Sequence, residues 1–135
     1  MNGVAAVRQL LANHSGLVAL VPAARIRAGV LPQGTTLPAI SIMSVSATDR
    51  NVPNPGAHRH VAERVQVTVM AADYPGLKAV MAEVKKAGAD QMPAVPGLTA
   101  VTVHTDGMGP DFMNEEASIY MQPLDFRVTF SEERS

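Results

Sequence analysis

The residues whose chemistry stands out are a histidine pair, a set of acids and a group of arginines. His58-Arg59-His60 has the i, i+2 spacing that projects two imidazoles from one face of a strand, and His104 could supply a third metal ligand. No carboxylate stands in a defined register with them, so the simpler reading is exposed histidines where a loop enters a strand. Asp106, Asp111, Glu115 and Glu116 could make a cation site or an acid–base pair, but they lack the Asp-x-Asp-x-Asp-Gly order of a calcium loop. A solvated acidic loop suffices. Gly107-Met108-Gly109 echoes a phosphate-binding loop without its full glycine pattern or the helix whose N-terminus would hold the phosphate. Ser41, Ser44 and Ser46 have no Gly-x-Ser-x-Gly elbow around them. Arg50, Arg59 and Arg64 could touch phosphate, yet Asp49 and Glu63 beside them make a mixed-charge surface or a subunit interface simpler. No catalytic, cofactor-binding or metal-ligating residue is assigned, and an enzyme is not expected.

Composition narrows the classes further. A chain of 135 residues fits one domain, 1–135, able to bury roughly two thirds of its unfolded surface. Without cysteine there is no disulfide framework and no thiol chemistry. A net charge of -1 supplies no global field to draw in nucleic acid or an anionic membrane. With no Trp, two Tyr and three Phe, stacking platforms for bases are scarce. The longest apolar run, Leu17 to Val21, is far short of the ~20 residues a spanning helix needs. Arg8 and His14 interrupt the N-terminal apolar residues before a signal-peptide core can form. The expectation is a soluble intracellular protein.

The positioning elements follow from periodicity. Val4, Val7, Leu10 and Leu11 predict a helix over Gly3 to Asn13, and Ser15 is the expected cap of a short second helix, Leu17 to Val21, ended by Pro22. Short and long strands are expected at Arg25 to Arg27 and Ala39 to Ala47. In the second, the apolar phase changes between Ile40/Ile42 and Met43/Val45, which requires a bulge or burial on both faces. The strand His60 to Ala71 alternates Val61, Val65, Val67 and Val69 with Arg64, Gln66 and Thr68, so one face should be wet. Glu63 falls on the apolar parity, at the core margin or in a subunit contact. Asp73 caps a helix running to Gly88 along Leu77, Val80, Met81 and Val84. Strands Leu98 to Thr105 and Ser118 to Phe130 complete the set; Pro123 favours an edge or bulge, and residues 131–135 read as a polar tail. Two long loops remain, Asp49 to His58 and Asp106 to Ala117. The fold expected is α+β: a mainly antiparallel sheet of four to five strands with helices on one face.

Certain positions recur in an order of their own: Arg25-Ile26 opening a short strand, Leu31-Pro32 in a loop, Leu37-Pro38 before a strand, the run Val65 to Val69, and Leu124 to Val128 in the last strand. In this order and spacing, across nearly the whole chain, the sequence resembles the tail-completion or tail-terminator proteins of long-tailed bacteriophages. The resemblance implies a virion structural protein. It would form a ring, a hexamer, that caps the tail tube and joins it to the head connector or stopper protein. DNA would pass through the channel without specific binding, with no membrane and no cofactor involved. The site would lie at the head-proximal end of the tail, after assembly in the host cytoplasm. Candidate subunit or tube contacts are Arg50, Asn51, Val52, Asn54, His58 and Arg59 in one loop and Met108, Phe112 and Met113 in the other. Asp106, Asp111, Glu115 and Glu116 are candidate channel-facing acids. The rival readings are a head–tail connector or stopper and, from another class, a small ligand-binding module or enzyme.

Overall fold

The computed structural model describes residues 2–32, 34–50, 53, 56–115 and 118–133. Helix α1 (Asn2–Ala12) and the single turn α2 (Ser15–Val18) lead through a 3₁₀ turn at Ala23–Arg25 into strand β1 (Ile26–Ala28). Then come β2 (Ala39–Arg50), β3 (His58–Ala71), helix α3 (Tyr74–Gly88), β4 (Leu98–Met108), β5 (Phe112–Asn114) and β6 (Ile119–Glu133). The strands form one six-stranded sheet in the order β1-β2-β3-β6-β4, with β5 also paired to β6. β1 runs parallel to β2, and every other pairing is antiparallel.

The expectation of four to five strands is therefore too small, and the sheet is mixed. Both differences come from segments whose Gly and Pro content reads as loop. The chain from Gly29 to Pro38 carries β2 back to the start of β1 so that both run the same way, and Gly29 N donates to Ile42 O at 2.8 Å. The supposed loop Asp106 to Ala117 is largely strand: β4 continues to Met108, and Phe112–Asn114 turns back as β5 onto Ile119–Met121. Likewise β2 runs on to Arg50, β3 starts at His58, and Ser131–Glu133 extend β6 instead of forming a tail.

The core lies between the sheet and α1 and α3. Val61, Val65, Val67 and Val69 of β3 and Leu124, Phe126, Val128 and Phe130 of β6 point to that side, meeting Val4, Val7 and Leu11 of α1 and Leu77, Val80, Met81 and Val84 of α3. Each such side chain, fully buried, contributes about 1.5–3 kcal/mol. Gly88 ends α3 against the Phe126 ring; a Cβ there would stand 2.5 Å from a ring carbon, so helix and sheet meet at a distance only glycine allows. Asp73 caps α3 as expected, accepting from Gly76 N at 2.6 Å. Ser15 does not cap α2. His14 occupies the cap position without a side-chain bond to it, and its ring turns instead to Glu83 at 3.0 Å.

β2 has a register shift between Ser44 and Ser46, just after the apolar phase changes at Met43, which pairs with Gln66 on the polar face. Before it, Ala39 to Ile42 are buried; from Met43 to Arg50 every residue is exposed. Pro123 sits in an interior strand rather than at an edge. Its carbonyl accepts from Gly109 N at 2.9 Å, on the side where β4 has ended and β5 has not begun. N and C=O of one strand residue point the same way, so its missing donor faces that gap.

Candidate assembly interface

The sheet face away from the helices is open to solvent and carries a polar network. Arg64 Nε donates to Asp125 Oδ2 at 2.9 Å, a second guanidinium nitrogen reaches the same oxygen, and Gln66 Nε2 donates to Oδ1 at 3.2 Å. The Asp125 carboxylate, through that hydrogen bond and its charge, holds the Arg64 guanidinium above its already high ordinary value. Next to Arg64, across the β3–β6 ladder, Arg127 pairs with Asp106 at 3.6 Å. These side chains help line a shallow cavity of about 390 Å³ with Ser46, Thr48 and Ala62. Each arginine is matched to its own carboxylate, so the groups satisfy one another instead of converging on a ligand, unlike a small-molecule site.

The candidate contact residues divide between two distant places. Arg50, His58 and Arg59 lie at the β2–β3 end, where Arg59 stands between Asp49 at 3.7 Å and Glu132 at 3.8 Å. Asn51, Val52 and Asn54 lie outside the described residues. Met108, Phe112 and Met113 lie at the opposite end of the β3–β6 ladder and on the opposite flank of the sheet, and all three are exposed. The histidines do not gather: His58 and His60 face Glu133 and Ser131, while His104 bonds Asp90 at 2.8 Å. No group of three metal-ligating side chains occurs among the described residues.

The acids are not a cluster either. Asp106 pairs with Arg127. Asp111 is clasped by the first turns of α3, where Tyr74 OH donates to Oδ2 at 2.8 Å and Lys78 Nζ lies 2.6 Å from the same oxygen. Lys78 also donates to Gln122 Oε1 at 3.0 Å, and Gln122 Nε2 donates to Gly109 O at 3.0 Å. Hydrogen bonds from Lys78 and then Tyr74 hold the Asp111 carboxyl below its ordinary value, and Asp111 in turn raises Lys78. Glu115 is exposed beyond β5, and Glu116 lies outside the described residues. This clasp fixes the β4–β5 turn, and nothing local in the sequence announces it, because Lys78 and Asp111 are joined only by the fold. A second contact did leave a sign. Glu63, an acid on the apolar parity of β3, is 3% exposed and accepts from Gly3 N at 3.1 Å, holding the α1 N-terminus to the sheet.

The described residues thus form a sheet with helices on one face, a paired polar network on the other and exposed apolar residues at its flanks. The family described as "Tail completion protein gp17" matches residues 5–129, and the chain belongs to it. It is a structural protein of phage-type tails. Nineteen chains of solved structures match. One, from a structure titled "Virion of native gene transfer agent (GTA) particle", has a TM-score of 0.67 at 19% identity, with 94% of this chain and 92% of that one covered. At that identity it shows the shared fold. No curated protein sequence matches.

Proposed function

We propose that this chain is a tail terminator: a ring, expected to be a hexamer, that closes the finished tail tube and joins it to the head connector or stopper. Family membership over residues 5–129 carries the reading. The fold supplies suitable parts. A rigid sheet under two helices bears two extended elements, the β2–β3 end with Arg50, His58 and Arg59 and the β4–β5 turn with Met108, Phe112 and Met113, that reach away from the core. A closed ring needs distinct surfaces for its neighbours, and its two faces meet different partners, the tube on one side and the connector on the other. DNA passes through such a ring without sequence reading. Among the acids offered as channel lining, Asp106 and Asp111 are already held by cations, which weighs against that role for them. The working place is the head-proximal end of the tail, reached by assembly in the host cytoplasm. Light scattering across concentration with negative-stain imaging tests the ring. Closed rings of about six copies support it, and a chain that stays monomeric, alone and with tail tubes, overturns it.

A further inference from the structure

Among the exposed large apolar side chains, Leu20, Tyr74 and Met92 lie apart, and the other six fall into two groups. Val30, Met43 and Val45 lie on the β1–β2 flank of the sheet, and Met108, Phe112 and Met113 lie on the β4–β5 flank. Val30 is 84% exposed and Phe112 51%. Charge divides the same way. Beside β1, Arg8 and Arg27 line a groove of about 460 Å³ together with Val30, and neither arginine has an ion-pair partner among the described residues. Arg8 spends only its Nε, donating to Ile26 O at 3.1 Å. The far flank carries exposed Glu115 just past Phe112 and Met113. From Ser44 to Arg50, moreover, the outer backbone edge of β2 has no strand beside it among the described residues, since β1 covers only Ile40 to Ile42. An unpaired edge with apolar neighbours is a surface that native proteins cover.

We propose that these two flanks are complementary and dock head to tail on a second copy of this chain. The Phe112, Met113 and Glu115 corner of one copy seats against the Arg8, Arg27 and Val30 groove of the next. A heterologous contact requires two different, mutually fitting patches on opposite sides of one subunit, and repetition then gives a ring where the rotation closes. The occupant is a second copy because the apolar and charged features of one flank are matched by those of the other. Each copy's cationic groove meets a carboxylate, and each exposed aliphatic or aromatic side chain meets another. The setting rests on the terminator reading, but the docking is measured without any tail component.

Two single-flank variants test it. Arg27→Glu spoils the groove and leaves the β4–β5 corner intact; Phe112→Asp does the reverse. Both positions are exposed, and thermal melts confirm that each variant folds; Val30→Asp and Met113→Asp serve as a second pair. In sedimentation velocity, each variant alone should be monomeric at concentrations where the unmodified chain assembles. An equimolar mixture should give a species of twice the monomer mass, because one good groove remains to meet one good corner. Variants that assemble like the unmodified chain, a mixture that stays monomeric, or an unmodified chain that is monomeric at every soluble concentration would each overturn the proposal. Tube capping by a chain whose copies do not dock this way would leave the tail role standing and remove only the flank pairing.

Discussion

The two halves of β2 are one strand in two environments. Ala39 to Ile42 are all buried, with Ile40 and Ile42 in the core beneath the helices, and Ile40 to Ile42 have β1 on one side and β3 on the other. Met43 to Arg50 keep the β3 ladder but are exposed throughout, with Met43 and Val45 each 48% exposed. The register shift at Ser44/Ser46 falls just beyond the boundary between Ile42 and Met43. In the first half apolar residues are held by burial, and the fold would lose them at a cost. In the second half Met43 and Val45 are only half-covered in the monomer, and under the docking proposed above a second copy would cover them further. Under that proposal stability and assembly depend on different stretches of the same strand, and substitutions should separate them.

The sharpest contrast comes from placing the same charge in each environment. Val67 is 0% exposed on the interior strand β3, and Val67→Asp should unfold the monomer, with a loss on the order of 4 kcal/mol read from chemical denaturation by circular dichroism. A smaller loss, about 1–3 kcal/mol, is expected from Gly88→Ala, whose added methyl would be driven into the Phe126 ring. A lowered urea midpoint with unchanged slope checks it.

The Asp111 clasp gives a pH-dependent effect of lesser size. Because Asp111 is held below its ordinary value of 3.8, its stabilisation of the β4–β5 turn is complete above that value and disappears as the pH falls through the lowered one. Lys78, raised above its ordinary 10.5, sets the opposite limit: its contribution is complete below 10.5 and disappears as the pH rises through the raised value. Amide protection factors over residues 109–115 should fall at both extremes, and Asp111→Asn should flatten the acid limb. Last, Val45→Asp should change monomer stability by no more than about 0.5 kcal/mol while reducing self-association in sedimentation. A Val45→Asp protein that unfolds would erase the distinction between the halves of β2.

Much of this arrangement was legible before folding. The phase change in β2 predicted a bulge or burial on both faces, the valine alternation predicted the wet and dry faces of β3, and Asp73 predicted the start of α3, because each is a local pattern acting over a few residues. The misses have a common physical origin. β5 and the end of β4 read as loop in the sequence because Gly107, Gly109 and Pro110 mask a strand whose pairing partner lies later in the chain. The parallel β1–β2 pair needed a long return segment, and the clasp of Asp111 by Tyr74 and Lys78 needed α3 and the β4–β5 turn to meet. Ser15 failed as a cap because His14 already held that position. Of the candidate interface, Met108, Phe112 and Met113 are exposed, and Asp106 and Asp111 are each held by a cation from a distant part of the chain.

The central claim is that the chain finishes a tail tube. The direct measurement is to add the purified protein to tail tubes assembled without it and to image the tubes by electron microscopy while following their length. The account predicts a closed ring on one end of each tube and an end to further growth from that end. Tubes that keep growing with bare ends, while the protein stays in solution, would contradict it.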